Sequence, residues 1–466
     1  MNKLNIKINF PFFYALLFYL IFITNIFLPP INLGFNFYFR FVDFIIPFAI
    51  LLIIIDKNRI IPRSFVFFII LSVWISISML INHNNVATND FYEFYKIFKF
   101  AVIAIVALSY FKHFENHFDL FIKITFVVLF VLNLFQYYNI FHFHDLVEPF
   151  YDPSGIHWTS FGKNSLGEPG PKRMLGTGGN PNNNALIFLF YYCWFLFSMF
   201  HKNLKNLKWH NWLFLILSIL AIILCQSRTA FAIILVITII YFVFYHKPIK
   251  YMFIIIASTI FIMLFLDLVS KESTSYVSGF LKNVMLESKE YLTENLTNIN
   301  DSDTVNKIKG KEYLTENLSD INDSDTVNKI KHKGYLAQNQ SLRGRLDAWK
   351  FLLKMWSENP IVGYGPYKNF FYSLKLYSEN EYILYLWRYG IIGFFLYIYW
   401  YLFPIVKLEN KKIKLSINPF YLLFGLSLMA AALTNNPITH PMISVLLAIS
   451  AGYQLALGKN ISTDTN

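Results

Sequence analysis

Apolar runs about as long as a bilayer is thick recur along the whole of this chain, and they limit its fold more than any other feature. A helix needs roughly 20 apolar residues to cross the hydrocarbon core. In lipid only helices and closed barrels satisfy their own backbone. The first run, "FPFFYALLFYLIFITNIFL", covers 10–28. Others follow near 41–55, 65–82, 97–111, 119–140, 184–200, 211–225, 229–246, 250–269, 382–406, 418–433 and 440–458. Only 15% of residues are charged and 56% are hydrophobic, whereas soluble domains are about a quarter charged. Mean hydropathy is +0.44. The chain reads as an all-α polytopic membrane protein of about 12 transmembrane helices.

The first run follows Lys3 and Lys7, lacks a small-residue cleavage site and ends at Pro29-Pro30, so it is expected to be retained as a span. The formal net charge is +12. In a soluble protein that excess points to nucleic acid; here topology accounts for it. With the N-terminus inside, seventeen short-loop lysines and arginines, from Lys3 to Lys459, fall on the inner side. Four (Arg40, Lys96, Lys99 and Arg228) fall on the outer side. That asymmetry predicts both termini in the cytoplasm. No nucleic-acid partner is called for. Cys193 and Cys225 lie in apolar runs and read as small buried hydrophobes.

Long outer-face segments divide the chain. Residues 1–140 carry spans one to five, 141–183 a first loop, and 184–269 spans six to nine. Residues 270–381 form a second, larger loop, and 382–458 carry spans ten to twelve. Loops this long are functional or disordered. Within the second, "KEYLTENLTNINDSDTVNKIKG" (289–310) is followed at once by "KEYLTENLSDINDSDTVNKIKH" (311–332). A partial third copy reaches 339. This reads as a recent 22-residue duplication in a tolerant loop tip. Asp301-Ser302-Asp303 and Asp323-Ser324-Asp325 repeat within it. A DxD pair can hold a divalent metal, but a polar tract without a core gives no fixed geometry for one.

After the insert the character changes. Leu346, Trp349, Leu352, Leu353 and Trp356 recur at helical spacing, predicting an amphipathic helix over 345–357 that stops before Pro360. Two readings stand. The helix anchors to the interface with its tryptophans towards lipid, or it presents Arg343 and Arg345 to an anion at the membrane surface. Arg173 lies in "PKRMLGTGGNPNNNALIF", where Asn180 or Asn182 caps the sixth span and Pro181 suits its first turn. Arg228 lies in "CQSRTAF", a very short outer turn. It either snorkels to the interface or serves a site, as membrane-embedded charges generally do. Arg388, in the tenth span, has the same two readings. Glu379, Asn380 and Glu381 open that span, as ordinary dipole complement and cap or as a general base near the arginines. His440 reads as interfacial. His142 and His144 have HxH spacing without a nameable third ligand.

Taken together, these stretches resemble the O-antigen polymerase and O-antigen ligase superfamily. The resemblance rests on Arg173-x-x-Gly176 with Pro181-Asn182, and on Ser227-Arg228-Thr229-Ala230. It rests also on Gly344-Arg345-Leu346 with Trp349 and Asn359-Pro360-x-x-Gly363-x-Gly365, and on Asn380-Glu381-Tyr382 with Gly390-Ile391-Ile392-Gly393. It covers roughly 165–240 and 341–450. It implies a glycosyltransferase that moves a glycan from an undecaprenyl-diphosphate carrier to a hydroxyl at the outer face of the bacterial inner membrane. The acceptor is another lipid-linked repeat unit for a polymerase, or lipid A-core for a ligase. Ligases commonly carry a histidine where this chain has Glu379, which leans towards polymerase.

The implied catalytic groups are Arg228, Arg345 and Glu379, with Asp347 as second candidate base. Arg173, Arg343, Asn182, Asn380 and Arg388 are implied to bind diphosphate and glycan. Arginine suits a diphosphate because it is always charged and forks onto phosphate oxygens. Several arginines stabilise the departing group without a metal, and no cofactor is implied. A chain-length regulator and a flippase of the same pathway are the implied partners.

Other classes explain less of the chain. A transporter predicts internal repeats and ionisable residues near the midplane, where this chain's charges cluster at the outer ends. A scaffold gives no reason for four separate arginine stretches.

Overall fold

The computed structural model describes residues 9–29, 31–32, 38–147, 173–176, 179–202, 208–269, 342–373, 379–409, 412–415 and 417–460. The duplicated insert, both Asp-Ser-Asp pairs and most of the first long loop lie outside the described residues.

The fold is helical. Its first elements are α1 (Phe10–Phe27), α2 (Phe41–Ile55), α3 (Val66–Ile81), α4 (Tyr92–Tyr138) and the short α5 (Phe143–Val147). Then come α6 (Pro181–Phe197), α7 (Trp209–Leu224), α8 (Arg228–Phe244) and α9 (Ile249–Val269). The last are α10 (Leu342–Glu358), α11 (Lys368–Ser373), α12 (Glu381–Leu402), α13 (Pro419–Ala431) and α14 (Pro441–Asn460). Among the described residues, six helical runs are long and apolar enough to cross a membrane, and five shorter apolar helices accompany them. Two antiparallel ribbons, 31–32 with 38–39 and 406–409 with 412–415, add strand that the apolar pattern does not announce.

Three helices begin alike, with an asparagine cap before a first-turn proline. Asn9, Asn180 and Asn418 each accept a backbone N–H two or three residues on. Asparagine satisfies an orphan donor, and proline forfeits only an N–H that has no helical partner. α6 has no polar face, and every side chain from Asn184 to Phe197 is buried. It is the central helix of the bundle.

The spans expected at 97–111 and 119–140 are one helical run, α4, reversed at Phe114 (φ −130°, ψ 22°). Asp119 accepts from Trp194 and Ser198 at the far end of α6, while Asn133 accepts from Asn184 at its start. The second arm is therefore antiparallel to α6. The first arm follows α14, with Glu93 beside Ser444 and Phe111 against Tyr453. Trp194 packs on Tyr453, so α6 and α14 run the same way. Both ends of α4 thus return to one end of the bundle, the site end, where α6 and α14 begin. Lys96 and Lys99 belong to this helix and not to an outer loop; Lys99 pairs with buried Asp43 at 2.5 Å.

The tenth span is also broken. Gly390 has φ +65° and ψ −168°, a region open to glycine alone. Glu381 and Tyr397 hydrogen-bond at 2.8 Å, and the Tyr385 and Tyr397 rings stack with centroids 4.2 Å apart. In a continuous helix, residues 16 apart are separated by about 24 Å. α12 is therefore a V: a short arm, 381–389, and a long arm, 391–402, meeting at Gly390. The vertex sits against the turn after α10. A Cβ on Gly390 would lie 2.0 Å from the Ile361 carbonyl oxygen, and one on Gly363 would lie 2.6 Å from the Arg388 backbone.

α10 is amphipathic as expected, but its apolar face is spent on protein. Ala348, Leu352 and Met355 bury against Leu384 and Trp387 of the short arm. Tyr367 stacks over Trp387, and Phe370 lies tilted against it. The expected stripe is rotated. Leu346 and Leu353 are exposed, whereas Leu352 is fully buried.

Candidate functional site

The residues between α13 and α14 organise the site end. α13 stops at Ala431, and Pro441 starts α14, leaving "ALTNNPITH" (432–440) between two helix ends. The Glu381 N–H donates to the Ala432 carbonyl at 2.8 Å. The Glu381 carboxylate accepts from the amides of Thr439 (2.7 Å) and Ile438 (3.0 Å) and from the Tyr397 hydroxyl (2.8 Å). It is 0% exposed, and a buried carboxylate persists only where donors replace water. The Thr434 and Thr229 hydroxyls meet at 2.7 Å, which joins this segment to the first turn of α8, next to Arg228. His440, at its other end, lies in the field of Arg40. Burial, then that charge, drives the imidazole down to about 3. Burial likewise pulls the Arg40 guanidinium down to about 10, against the neighbouring Asp43 charge.

Arg173 and Arg228 share one corner. The Arg173 guanidinium donates to Asn182 Oδ1 at 2.9 Å and to the carbonyls of Cys225 and Gln226 at 3.2 Å each. It therefore fastens the start of α6 to the α7–α8 turn, in which Gln226 is left-handed (φ +51°). Ser227 caps α8, and Arg228 occupies its exposed first position. Gly176 has φ +69°, and a Cβ there would lie 2.2 Å from Asn184 Oδ1.

A second group of charges links α4, α11 and the short arm. Glu93 Oε1 lies 2.7 Å from Lys96 Nζ and 3.1 Å from Lys368 Nζ. Arg388, 4% exposed, acts on the same carboxylate. Lys368 also donates to the Asn89 carbonyl. Burial, followed by repulsion from Lys96 and Arg388 against the pull of Glu93, brings its ammonium down to about 8. A small cavity lined by Glu93, Lys96, Tyr385, Trp400, Ile438 and Ser444 opens beside this cluster.

The predicted residues thus divide. Arg173, Asn182 and Arg228 come together. Arg388 is buried with Glu93 and Lys368. Asn380 caps the short arm, accepting the Ile383 N–H at 3.1 Å. Glu379, immediately before it, is half-buried and left-handed (φ +41°). The backbones of Arg343, Arg345 and Asp347 are in α10; their side chains lie outside the described residues. Sequence reasoning missed Glu93, Lys96 and Lys368 as site residues, and it read Glu381 as dipole complement and cap or as a general base, not as the acceptor for the Ile438 and Thr439 amides. The polar run "TNNPITH" between two apolar spans was the available signal for the segment that Glu381 binds.

Residues 213–398 match the family model described as O-antigen ligase. The matched region runs from α7 through α8, α10 and both arms of the V, so it contains Arg228, Glu379, Asn380 and Arg388. No curated protein matches the chain. That match supports a place for the chain in the O-antigen polymerase and ligase superfamily, as a multi-pass membrane enzyme of the glycosyl-transferring kind.

Proposed function

We propose that the protein joins undecaprenyl-diphosphate-linked oligosaccharide repeat units into a surface polysaccharide at the outer face of the bacterial inner membrane, with both termini in the cytoplasm. The observation that carries this reading is the gathering of Arg173, Arg228 and the Glu379–Asn380 corner at one end of the bundle, linked through 432–440. A lipid-tethered diphosphate stays at membrane depth, and cations at that end suit its oxygens. In the reaction, the acceptor hydroxyl oxygen bonds to the anomeric carbon and the bond from that carbon to the phosphate oxygen breaks. The diphosphate departs with its electron pair, its charge met by Arg228, Arg173 and Arg345. The hydroxyl proton passes to Glu379, whose neighbour Glu381 already accepts three hydrogen bonds.

Glu379 stands where ligases commonly carry histidine, which favours polymerase. The description of the matched family favours the second reading, transfer of the glycan to lipid A-core. The test is purified protein in nanodiscs, with chelator, given lipid-linked repeat unit alone. A ladder of longer lipid-linked glycans is expected. Product only after lipid A-core is added makes the protein a ligase. No product with either acceptor removes both readings.

A further inference from the structure

We propose that Glu381 is a positioning residue, a latch by which the short arm of α12 holds the 432–440 segment and, through it, the turn that carries Arg228. This inference deepens the transferase reading and rests on it for the consequence on turnover. The contact itself stands on geometry alone.

Ile438 and Thr439 present consecutive amide N–H groups inside the bundle, and both donate to the one carboxylate. Buried backbone donors without a partner each cost about as much as a lost hydrogen bond, so the segment has this conformation only where such an acceptor exists. Tyr397 supplies the third donor from the long arm. Ala432, at the other end of the segment, accepts from the Glu381 N–H. One residue thus ties both arms of the V to both ends of 432–439. From there Thr434 reaches Thr229, one residue beyond Arg228. In the other direction Glu381 adjoins Asn380 and Glu379. The two halves of the candidate site, which lie about 150 residues apart in sequence, are held in register across this bridge. With three donors and no exposure, the carboxylate is a holder and not the acceptor of a substrate proton.

Glu381→Gln tests the latch. Its amide retains one acceptor oxygen and turns an NH₂ donor towards a donor, so at least one backbone amide loses its partner. Two readouts are taken on the full-length protein in nanodiscs: hydrogen exchange of the 432–440 peptide and turnover of lipid-linked repeat unit. Expected are roughly tenfold faster exchange confined to that segment and about a tenfold fall in turnover. Tyr397→Phe leaves both amide bonds and changes each readout less than about threefold.

A disulfide between Thr229→Cys and Thr434→Cys replaces the far end of the bridge, and oxidation is expected to restore most of the turnover lost in Glu381→Gln. A merely destabilised protein gains nothing from it. Unchanged exchange in Glu381→Gln overturns the proposal, as does lost turnover that the oxidised pair does not restore. If Glu381→Gln fails to fold, the cysteine pair in the otherwise native chain decides: failure to oxidise overturns the bridge. If the native chain makes no product, the transferase reading falls, and exchange together with cross-linking judges the latch by themselves.

Discussion

At the scale of single residues, the site end shows how burial changes what a side chain does. His440 is an ordinary histidine in sequence, yet its ring nitrogen Nδ1 is enclosed and Arg40 lies near enough to oppose its protonation. The unfolded chain takes up a proton near the usual 6.5, and the folded one only near 3. Between those values the unfolded state binds more protons, so stability falls as pH drops through that window, by up to ~1.4 kcal/mol per pH unit. Thermal midpoints of the native protein and of His440→Gln, measured at pH 6.5, 5.5 and 4.5, check this: the native midpoint drops more steeply. Arg173 shows the complementary lesson. Its charge and its place before a capped helix were legible. Its use as a clamp on the carbonyls of Cys225 and Gln226 was not, because those residues follow by about 50 positions.

At the scale of elements, apolar length located nearly every helix and left the gap, between the spans expected at 97–111 and 119–140, in which the chain reverses at Phe114, but it did not locate the reversal at Gly390. Hydropathy integrates over a window and does not register a single residue at which direction changes. Gly390 sits inside a run, 382–406, that reads as one continuous span. Gly390 did carry a signal, "YGIIG", whose weight depends on a φ no pattern displays. Gly390→Ala places a Cβ against the Ile361 carbonyl in a conformation open only to glycine. It is expected to cost at least ~3 kcal/mol, seen as a lower thermal midpoint, whereas Gly425→Ala, whose Cβ meets no atom closer than 3.9 Å, leaves the midpoint near the native value. The same V explains why the amphipathic helix α10 is not laid on lipid. The short arm offers Leu384 and Trp387, and burying Leu352 against them removes apolar area from water as effectively as a membrane surface does.

At the scale of the whole molecule, the all-α membrane class was readable from composition and run length, and the family resemblance from four motifs, three of which the matched region contains. The convergence of those motifs was not readable, because it depends on a nine-residue segment between α13 and α14 that resembles an ordinary loop. Orientation is the global property that the charge asymmetry predicts. Ser357 is exposed at the site end, and Lys57 is exposed at the opposite end, after α2. In intact spheroplasts an impermeant maleimide is expected to label Ser357→Cys at once and Lys57→Cys only after permeabilisation. Cys193 and Cys225 are buried and give no background. The opposite pattern reverses the topology and places the candidate site in the cytoplasm.

The reversal at Phe114 bears on how this protein tolerates change in length. Around 289–339 the chain has accepted a tandem copy of 22 residues. At Phe114 the two arms meet without an intervening loop, and Tyr110, Phe111, Phe118 and Phe121 all pack on Phe18. One added residue would turn every later side chain of the second arm by about 100°, taking Asp119 from Trp194 and Asn133 from Asn184. The chain thus carries added length at 289–339, while the packing at this bend demands a constant residue count.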